Sequence, residues 1–408
     1  MHKALEIKAG RLYSTPFYIV HADIIKRQVR RLFAAFPPEK KFKLYYAIKA
    51  NANPWILSIL RKEGLCFDAC SEGDLYLAHA AGIPNEDISL TGVGFAREQI
   101  ESFLYRGYLI NFDSLQELDA AAQMRPGVRA GIRVLNGVTA GFHEHCQSGP
   151  GHGKLGIIPS ELGEVRALEK ARKVEICTLH THIGSGISEV EPLIESAAKM
   201  FELAKGFPNV SNINLGGGFA AQCTLGSLPF AIEDYGATVL KLKARFEADT
   251  KRAIAVSIEP GEYVVAESGS LVMRVRTVKR RTDPVGGVRQ VLIMDANLNH
   301  FIGTTLYGGE FPMDTDAGGQ LCDSVVYGNS NQAGDRFSKH RRLPELSPGS
   351  VVIMRNVGAY GFSRSGNFNE HTRPMEVLQE NGRFAVIREA EGLEDLGRLI
   401  PKGLSWND

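Results

Sequence analysis

FKLYYAIKANANPWILSILRKEGLCFDAC, residues 42–70, decides the fold. It opens with an apolar, aromatic-rich run, Phe42–Ile48, of the length of a buried strand. Pro54–Lys62 then places Ile56, Leu57, Ile59 and Leu60 on one helical face, and Pro54 suits a first helical turn. A second short run, Cys66–Cys70, follows almost at once. Strand, helix and strand in so short a span make a β-α-β unit, whose two strands lie parallel.

Outward from this unit the alternation continues. Ile88–Thr91, Tyr108–Phe112, Val128–Val134, Val174–His182, Ile213–Leu215 and Ala253–Glu259 read as further strands, eight in all. Ser114–Met124, Ser160–Arg172, Glu191–Lys205 and Tyr235–Ala248 read as helices between them. The predicted fold class is α/β, a (β/α)8 TIM-type barrel. Past Glu259 helical periodicity fades. Tyr263–Val278, Arg289–Met294, Val351–Met354 and Phe384–Glu389 are strand-like, with a turn at Asp283–Gly287, and predict a C-terminal β-barrel or sandwich domain. The expected division is an N-terminal segment, 1–24, packing on the β domain through Arg11–Val20, then a barrel over 25–262 and the β domain over 263–408. Asn329–Arg342, with Lys339-His340-Arg341-Arg342, reads as a surface loop whose charges are solvated.

Composition bounds the function. Apolar residues make up 44% of the 408 and charged residues 23%, which permits a sizeable core and excludes global disorder. Lys plus Arg (47) nearly cancels Asp plus Glu (46), so the basic surplus of a nucleic-acid binder is missing. The six cysteines form no C-x-x-C pair, and a chain this long needs no disulfide staples. Met1–Glu6 has no continuous apolar stretch and no run approaches a membrane span, so a soluble cytoplasmic protein is expected. Glycine, at 43 residues, is in surplus, marking places where backbone turns sharply or approaches a ligand.

Catalytic groups of such barrels sit at the carboxyl ends of the strands. Reading those ends in turn gives Lys49, Asp68, Arg133, His180-Thr181-His182, Gly216-Gly217-Gly218 and Glu259. A lysine closing an apolar strand is either a snorkelling exit or a reactive amine that captures a carbonyl. Tri-glycine after the seventh strand suits an anion, because amides can crowd round it. Together an amine, a phosphate seat and a carboxylate for a pyridine nitrogen point to pyridoxal 5'-phosphate.

On these residues the chain resembles the alanine-racemase-fold (fold type III) pyridoxal-phosphate decarboxylases. The matching pieces are Tyr46–Asn51, Phe67–Leu75, Lys154–Gly156, His182–Ser185, Gly216–Gly218, Glu259–Gly261, Cys322–Ser324 and Gly358–Ser363. Their wording is nearest to diaminopimelate decarboxylases, with ornithine and carboxynorspermidine decarboxylases as relatives. The resemblance implies that Lys49 carries the cofactor as a Schiff base, with Asp68 near it and Arg133 lining the pocket. It implies that His182 stacks on the ring, that Ser185, Gly216, Gly217, Gly218, Gly261 and Tyr360 serve the phosphate, and that Glu259 pairs with the ring nitrogen. Cys322, from a partner subunit of a homodimer, would protonate Cα. Asp323, Ser324 and Tyr307 would meet the substrate.

Three departures bear on the substrate. Glu262 stands where the family usually has a phosphate-binding arginine, as it does in carboxynorspermidine decarboxylases. Gly303-Thr304-Thr305 replaces a stretch whose arginine receives the distal carboxylate of diaminopimelate. Val326 replaces an aspartate that meets the distal amine, while the acidic position at Asp323 survives. These predict a different or conjugated amino acid, of a siderophore, polyamine or antibiotic pathway, which Lys339–Arg342 could greet. A true diaminopimelate decarboxylase of lysine biosynthesis is the alternative.

Two rivals come from other classes. A metal-dependent barrel hydrolase would use His180 and His182, with His143-Glu144-His145-Cys146 and His152 in reserve. That spacing matches no common metal pattern, so no metal site is expected, and His180 reads as a satisfied core histidine. A non-catalytic pyridoxal-phosphate-binding protein would be a bare barrel, without a tail carrying Cys322 and Tyr360.

Overall fold

The computed structural model describes residues 2–147, 154–282 and 288–402; His152 and the turn expected at Asp283–Gly287 lie outside them. The described chain forms two compact units. One draws on Asp23–Gln222 and Ser227–Ala266, the other on the described residues within Met1–Ala22, Cys223–Gly226 and Glu267–Asp408.

Strand β1 (Phe17–His21) belongs to the second unit. The first unit is the expected barrel: β2 (Phe42–Ala47), β3 (Cys66–Ala69), β4 (Ile88–Leu90), β5 (Leu109–Phe112), β6 (Arg129–Arg133), β7 (Glu175–His180), β8 (Asn212–Asn214) and β9 (Ala255–Ile258), closed by parallel pairing of β9 with β2. Its strands are buried almost throughout, as parallel strands covered on both faces must be. Local chemistry sets the helix starts. Asn53, Ser71 and Ser114 each accept a backbone N–H of the first turn, beginning helices Pro54–Lys62, Glu72–Ala80 and Leu115–Met124. Helices Ala22–Ala35 and Arg97–Tyr105 complete parts of the ring that periodicity alone had not marked.

The second unit is mostly strand: β10 (Gly269–Thr282), β11 (Val288–Met294), β12 (Met313–Thr315), β13 (Leu321–Tyr327), β14 (Arg336–Pro344), β15 (Val351–Arg355), β16 (Met375–Glu380) and β17 (Arg383–Arg388). Its sheet runs β14-β13-β11-β10-β1-β16-β17, and β15 pairs with β10 and β12. Strand β1 therefore lies mid-sheet, antiparallel to β10 and parallel to β16. Alternation along β10 feeds two cores, Leu271, Met273 and Val275 into one and Val272 into the other.

Two expectations need correction. Tyr263–Val278 is not one strand: a short helix, Glu262–Val265, and a 3-10 turn precede β10. Asn329–Arg342 is not a loop, since from Arg336 it forms β14, antiparallel to β13. β14 ends the sheet, and charged side chains on an edge strand guard it against pairing with other chains, which hides it among loop-like residues. Nor is Lys339–Arg342 a uniform basic patch. Arg341 is buried and paired with Glu310, while Arg342 lies 3.6 Å from Asp323. No helix among the described residues is long and apolar enough to cross a membrane.

Candidate active site

Within the barrel unit the strand ends carry the chemistry. Lys49 follows β2 in a 3-10 turn, Ile48–Ala50, whose two flanking residues are buried while Lys49 is exposed. Tyr46 fixes this exit, its hydroxyl donating to the Asn51 carbonyl at 3.1 Å. The Lys49 charge acts on Asp68, Asp74, His182 and Glu259 alike, which places the amine among them.

The two carboxylates near it differ in kind. Asp68, on β3, is buried, and its Oδ1 has no hydrogen-bond partner. Burial, then the Glu259 charge, pushes its carboxyl well above the usual range and favours the protonated form. The neighbouring Cys70 thiol is pushed up to about 12, chiefly by burial, so it is no nucleophile at neutral pH. Glu259, just past β9, is held on both oxygens: His180 Nε2 donates to Oε2 at 3.0 Å and Asn214 Nδ2 to Oε1 at 2.6 Å. Burial opposes its charge, but the His180 imidazole, then Lys49 and Asn214, prevail and hold the carboxyl below the usual range. A carboxylate only accepts, so the His180 proton sits on Nε2.

His182 lies two residues past the end of β7, where Gly217 N–H donates to its Nδ1 at 3.3 Å. Desolvation, then the charges of Lys49, Arg133 and His180, holds its imidazole well below the usual range, and it stays neutral. The glycine triplet is stitched to both neighbours. Gly216 N–H donates to Asn214 Oδ1, and a Cβ on Gly217 would lie 2.1 Å from the Glu259 carbonyl oxygen. Only glycine fits there. Two triplet amides thus donate inward, and of the three only the Gly218 N–H has no partner among the described residues. Ser185 is half-buried, and its N–H donates to the Cys146 carbonyl at 3.0 Å. Gly261 packs on Ala47 and Ala50 beside Lys49. Arg133 is buried at the end of β6, 3.6 Å from Asp113.

The remaining expected residues lie in the other unit. Cys322 is half-buried on β13, and Asp323 beside it faces Arg342. Ser324 is buried, accepting from Gln290 at 2.8 Å and donating to the Cys322 carbonyl at 3.1 Å, so its hydroxyl braces β13 from inside. Val326, where an aspartate was expected, is in the hydrophobic core. Tyr360 takes a left-handed backbone, φ 55°, before Gly361, where a Cβ would meet the Val357 carbonyl at 2.5 Å. Tyr307 accepts from Arg364 at 2.6 Å.

Strand-end reading gives His180 no part in the site and passes over Asn214 and Arg364. His180 is no mere core histidine but a ligand of Glu259. Asn214 joins the glycine triplet to Glu259, and Arg364 touches both tyrosines. The signal for the first two was their place, one at the end of β7 and one just before the triplet. His180 and His182 also do not converge as a metal pair, since each turns to a different partner.

This donor set fits pyridoxal phosphate. It offers a lysine for the aldehyde, an ionised carboxylate for the ring nitrogen, a neutral flat imidazole, and an unpartnered amide in a glycine turn for an anion. Residues 22–266 match the family model described as pyridoxal-dependent decarboxylase, pyridoxal binding domain. The chain belongs to the pyridoxal-dependent decarboxylases. It is 33% identical to a diaminopimelate decarboxylase of Methanothermobacter thermautotrophicus, over 96% of this chain and 93% of the relative. The crystal structure of diaminopimelate decarboxylase from Helicobacter pylori complexed with L-lysine is 29% identical, with a TM-score of 0.88 over 96% of this chain and 98% of the other. A lysine/ornithine decarboxylase from Vibrio vulnificus, complexed with cadaverine, shares the fold at 23% identity and a TM-score of 0.79, over 93% of this chain and 98% of the other. The chain is therefore a pyridoxal-phosphate-dependent carboxy-lyase, and both the hydrolase and the non-catalytic readings fall. Named relatives favour the diaminopimelate alternative over a siderophore, polyamine or antibiotic substrate.

Proposed function

We propose that this decarboxylase removes one α-carboxylate of diaminopimelate, leaving lysine. The carrying observation is likeness to diaminopimelate decarboxylases over 96% of the chain, through both units. Lys49 would hold the cofactor through its aldehyde. Bound there, pyridoxal phosphate supplies an electron-accepting ring that stabilises the charge left at Cα as carbon dioxide departs. Glu259 holds a proton on the ring nitrogen, and His180 and Asn214 keep that carboxylate ionised and fixed in orientation. His182, held neutral, would offer the ring a flat neighbour without adding a competing charge. Gly218 N–H, Ser185 and Tyr360 serve the phosphate, with Arg133 lining the pocket. Cys322 of a second subunit returns the proton to Cα, in a homodimer whose Asp323 meets the substrate.

A second reading has one observation in its favour. Val326 is a core residue, so its position offers no acid to a free distal amine. That suits a substrate with a distal carboxylate but an acylated amine. Carbon dioxide release from meso-diaminopimelate, lysine, ornithine and an N-acylated diaminopimelate distinguishes the readings. Preferred turnover of free diaminopimelate is expected; exclusive turnover of the acylated compound selects the second reading, and turnover of lysine or ornithine alone refutes both.

A further inference from the structure

Several arginines in the β unit are engaged by neighbouring groups. Arg355 is engaged by Glu6 and Asp314, Arg388 by Glu376, and Arg341 by Glu310. Arg373 donates to Ser365 and to the Phe362 carbonyl. Arg364 differs. It is exposed, and among the described residues no carboxylate lies within 4.0 Å of it. One N–H donates to the Tyr307 hydroxyl at 2.6 Å, and the guanidinium carbon lies 5.3 Å from the Tyr307 ring centroid and 4.8 Å from that of Tyr360. Its remaining donors form a planar fork suited to a carboxylate.

The support beneath it is rigid. Arg364 closes a 3-10 turn, Phe362–Arg364, whose Phe362 is buried with Arg373 and Arg388 each 4.2 Å from its ring centroid. Gly361 leaves no room for a side chain, and Val357 N–H is tied to the Gly269 carbonyl at 2.9 Å. A cation so held, stacked on tyrosines and lacking a counter-ion, is preorganised to receive an anion.

We propose that Arg364 is a specificity-determining residue that receives the substrate's distal carboxylate, supplying from a different turn the cation missing at Gly303-Thr304-Thr305. This rests on the reading of Tyr307 and Tyr360 as substrate- and cofactor-facing, and it deepens the proposed function by naming the group recognised: a carboxylate, free amine or not.

The test is Arg364→Gln, with Arg364→Lys as the conservative variant. With meso-diaminopimelate, kcat/KM of the Gln variant falls about a hundredfold, mostly through KM, as loss of a charge-assisted pair implies. The Lys variant recovers part of this. Inhibition by L-lysine, the product that keeps the distal carboxylate, weakens by a similar factor in the Gln variant, whereas inhibition by cadaverine, which has no carboxylate, changes little. Equal losses for lysine and cadaverine, or none, overturn the proposal. Calorimetric titration of the holoenzyme with pimelate separates this claim from the function beneath it. If diaminopimelate is not turned over, that function fails, yet pimelate binding that is lost in the Gln variant still assigns Arg364 to a carboxylate. Pimelate binding equally to both proteins, or not at all to the native one, overturns it.

Discussion

Replacing His180 with leucine tests how the barrel keeps a buried carboxylate charged. The imidazole donates to Glu259 Oε2 at 3.0 Å, and Glu259 is only 7% exposed, so water cannot take its place. Leaving that oxygen unpaired costs about 1–3 kcal/mol, with the upper end suited to a charged acceptor. Asn214 still holds Oε1, which keeps the side chain in place. The same loss lets burial push the Glu259 pKa up, because the imidazole no longer favours the charged form. The sign is fixed by the native direction. Glu259 is held below the usual glutamate range, so its stabilisation is present above that range and is lost as pH falls through the lowered value. In His180→Leu protonation of Glu259 begins at higher pH and relieves the unpaired oxygen. The acid limb of the pH–kcat/KM profile therefore moves up, and urea unfolding shows a larger deficit at pH 7 than at pH 5. In holoenzyme carrying ¹⁵N-labelled cofactor, the ring-nitrogen resonance shifts toward the unprotonated form. His180→Gln, which can still offer an N–H, restores part of each effect. An unmoved acid limb with an unmoved ring-nitrogen resonance would refute the reasoning, whatever the stability change.

Asp68→Asn makes the opposite case. Burial raises the Asp68 carboxyl, so ionising it with rising pH costs the fold, and the neutral amide should raise the thermal midpoint at pH 8 more than at pH 5. A midpoint that drops equally at both values contradicts a protonated Asp68. Gly217→Ala drives a methyl to 2.1 Å from the Glu259 carbonyl oxygen and should destabilise by about 1–3 kcal/mol, with weakened cofactor retention read by absorbance after dialysis. A variant with native midpoint and native cofactor content removes the claim that the triplet and Glu259 are stitched together.

The barrel was legible because its signal is local. Parallel strands buried on both faces read as unbroken apolar runs, and caps such as Asn53 and Ser114 stand beside the helices they start. Strand-end placement likewise brought out Lys49, Asp68, His182 and Glu259. What local reading lost was set by partners far off in sequence. His180 reads as core because it shares its side of the strand with His182, which suits the ring, whereas its ligand, Glu259, is 79 residues away. Arg364 carried no signal at all: its meaning lies in Tyr307, 57 residues earlier. β14 was missed for a different reason, since an edge strand carries the charges of a loop. The glycine triplet reads as a phosphate seat because its sequence does not reveal that two of its amides donate to Asn214 and His182.

The account stands on Lys49 as the amine that holds the cofactor. Borohydride reduction of the holoenzyme, followed by digestion and mass spectrometry, tests this directly. The account predicts one reduced pyridoxyl group on the peptide containing Lys49, and none in Lys49→Ala; a label on another lysine, or a reduced protein without one, would contradict it.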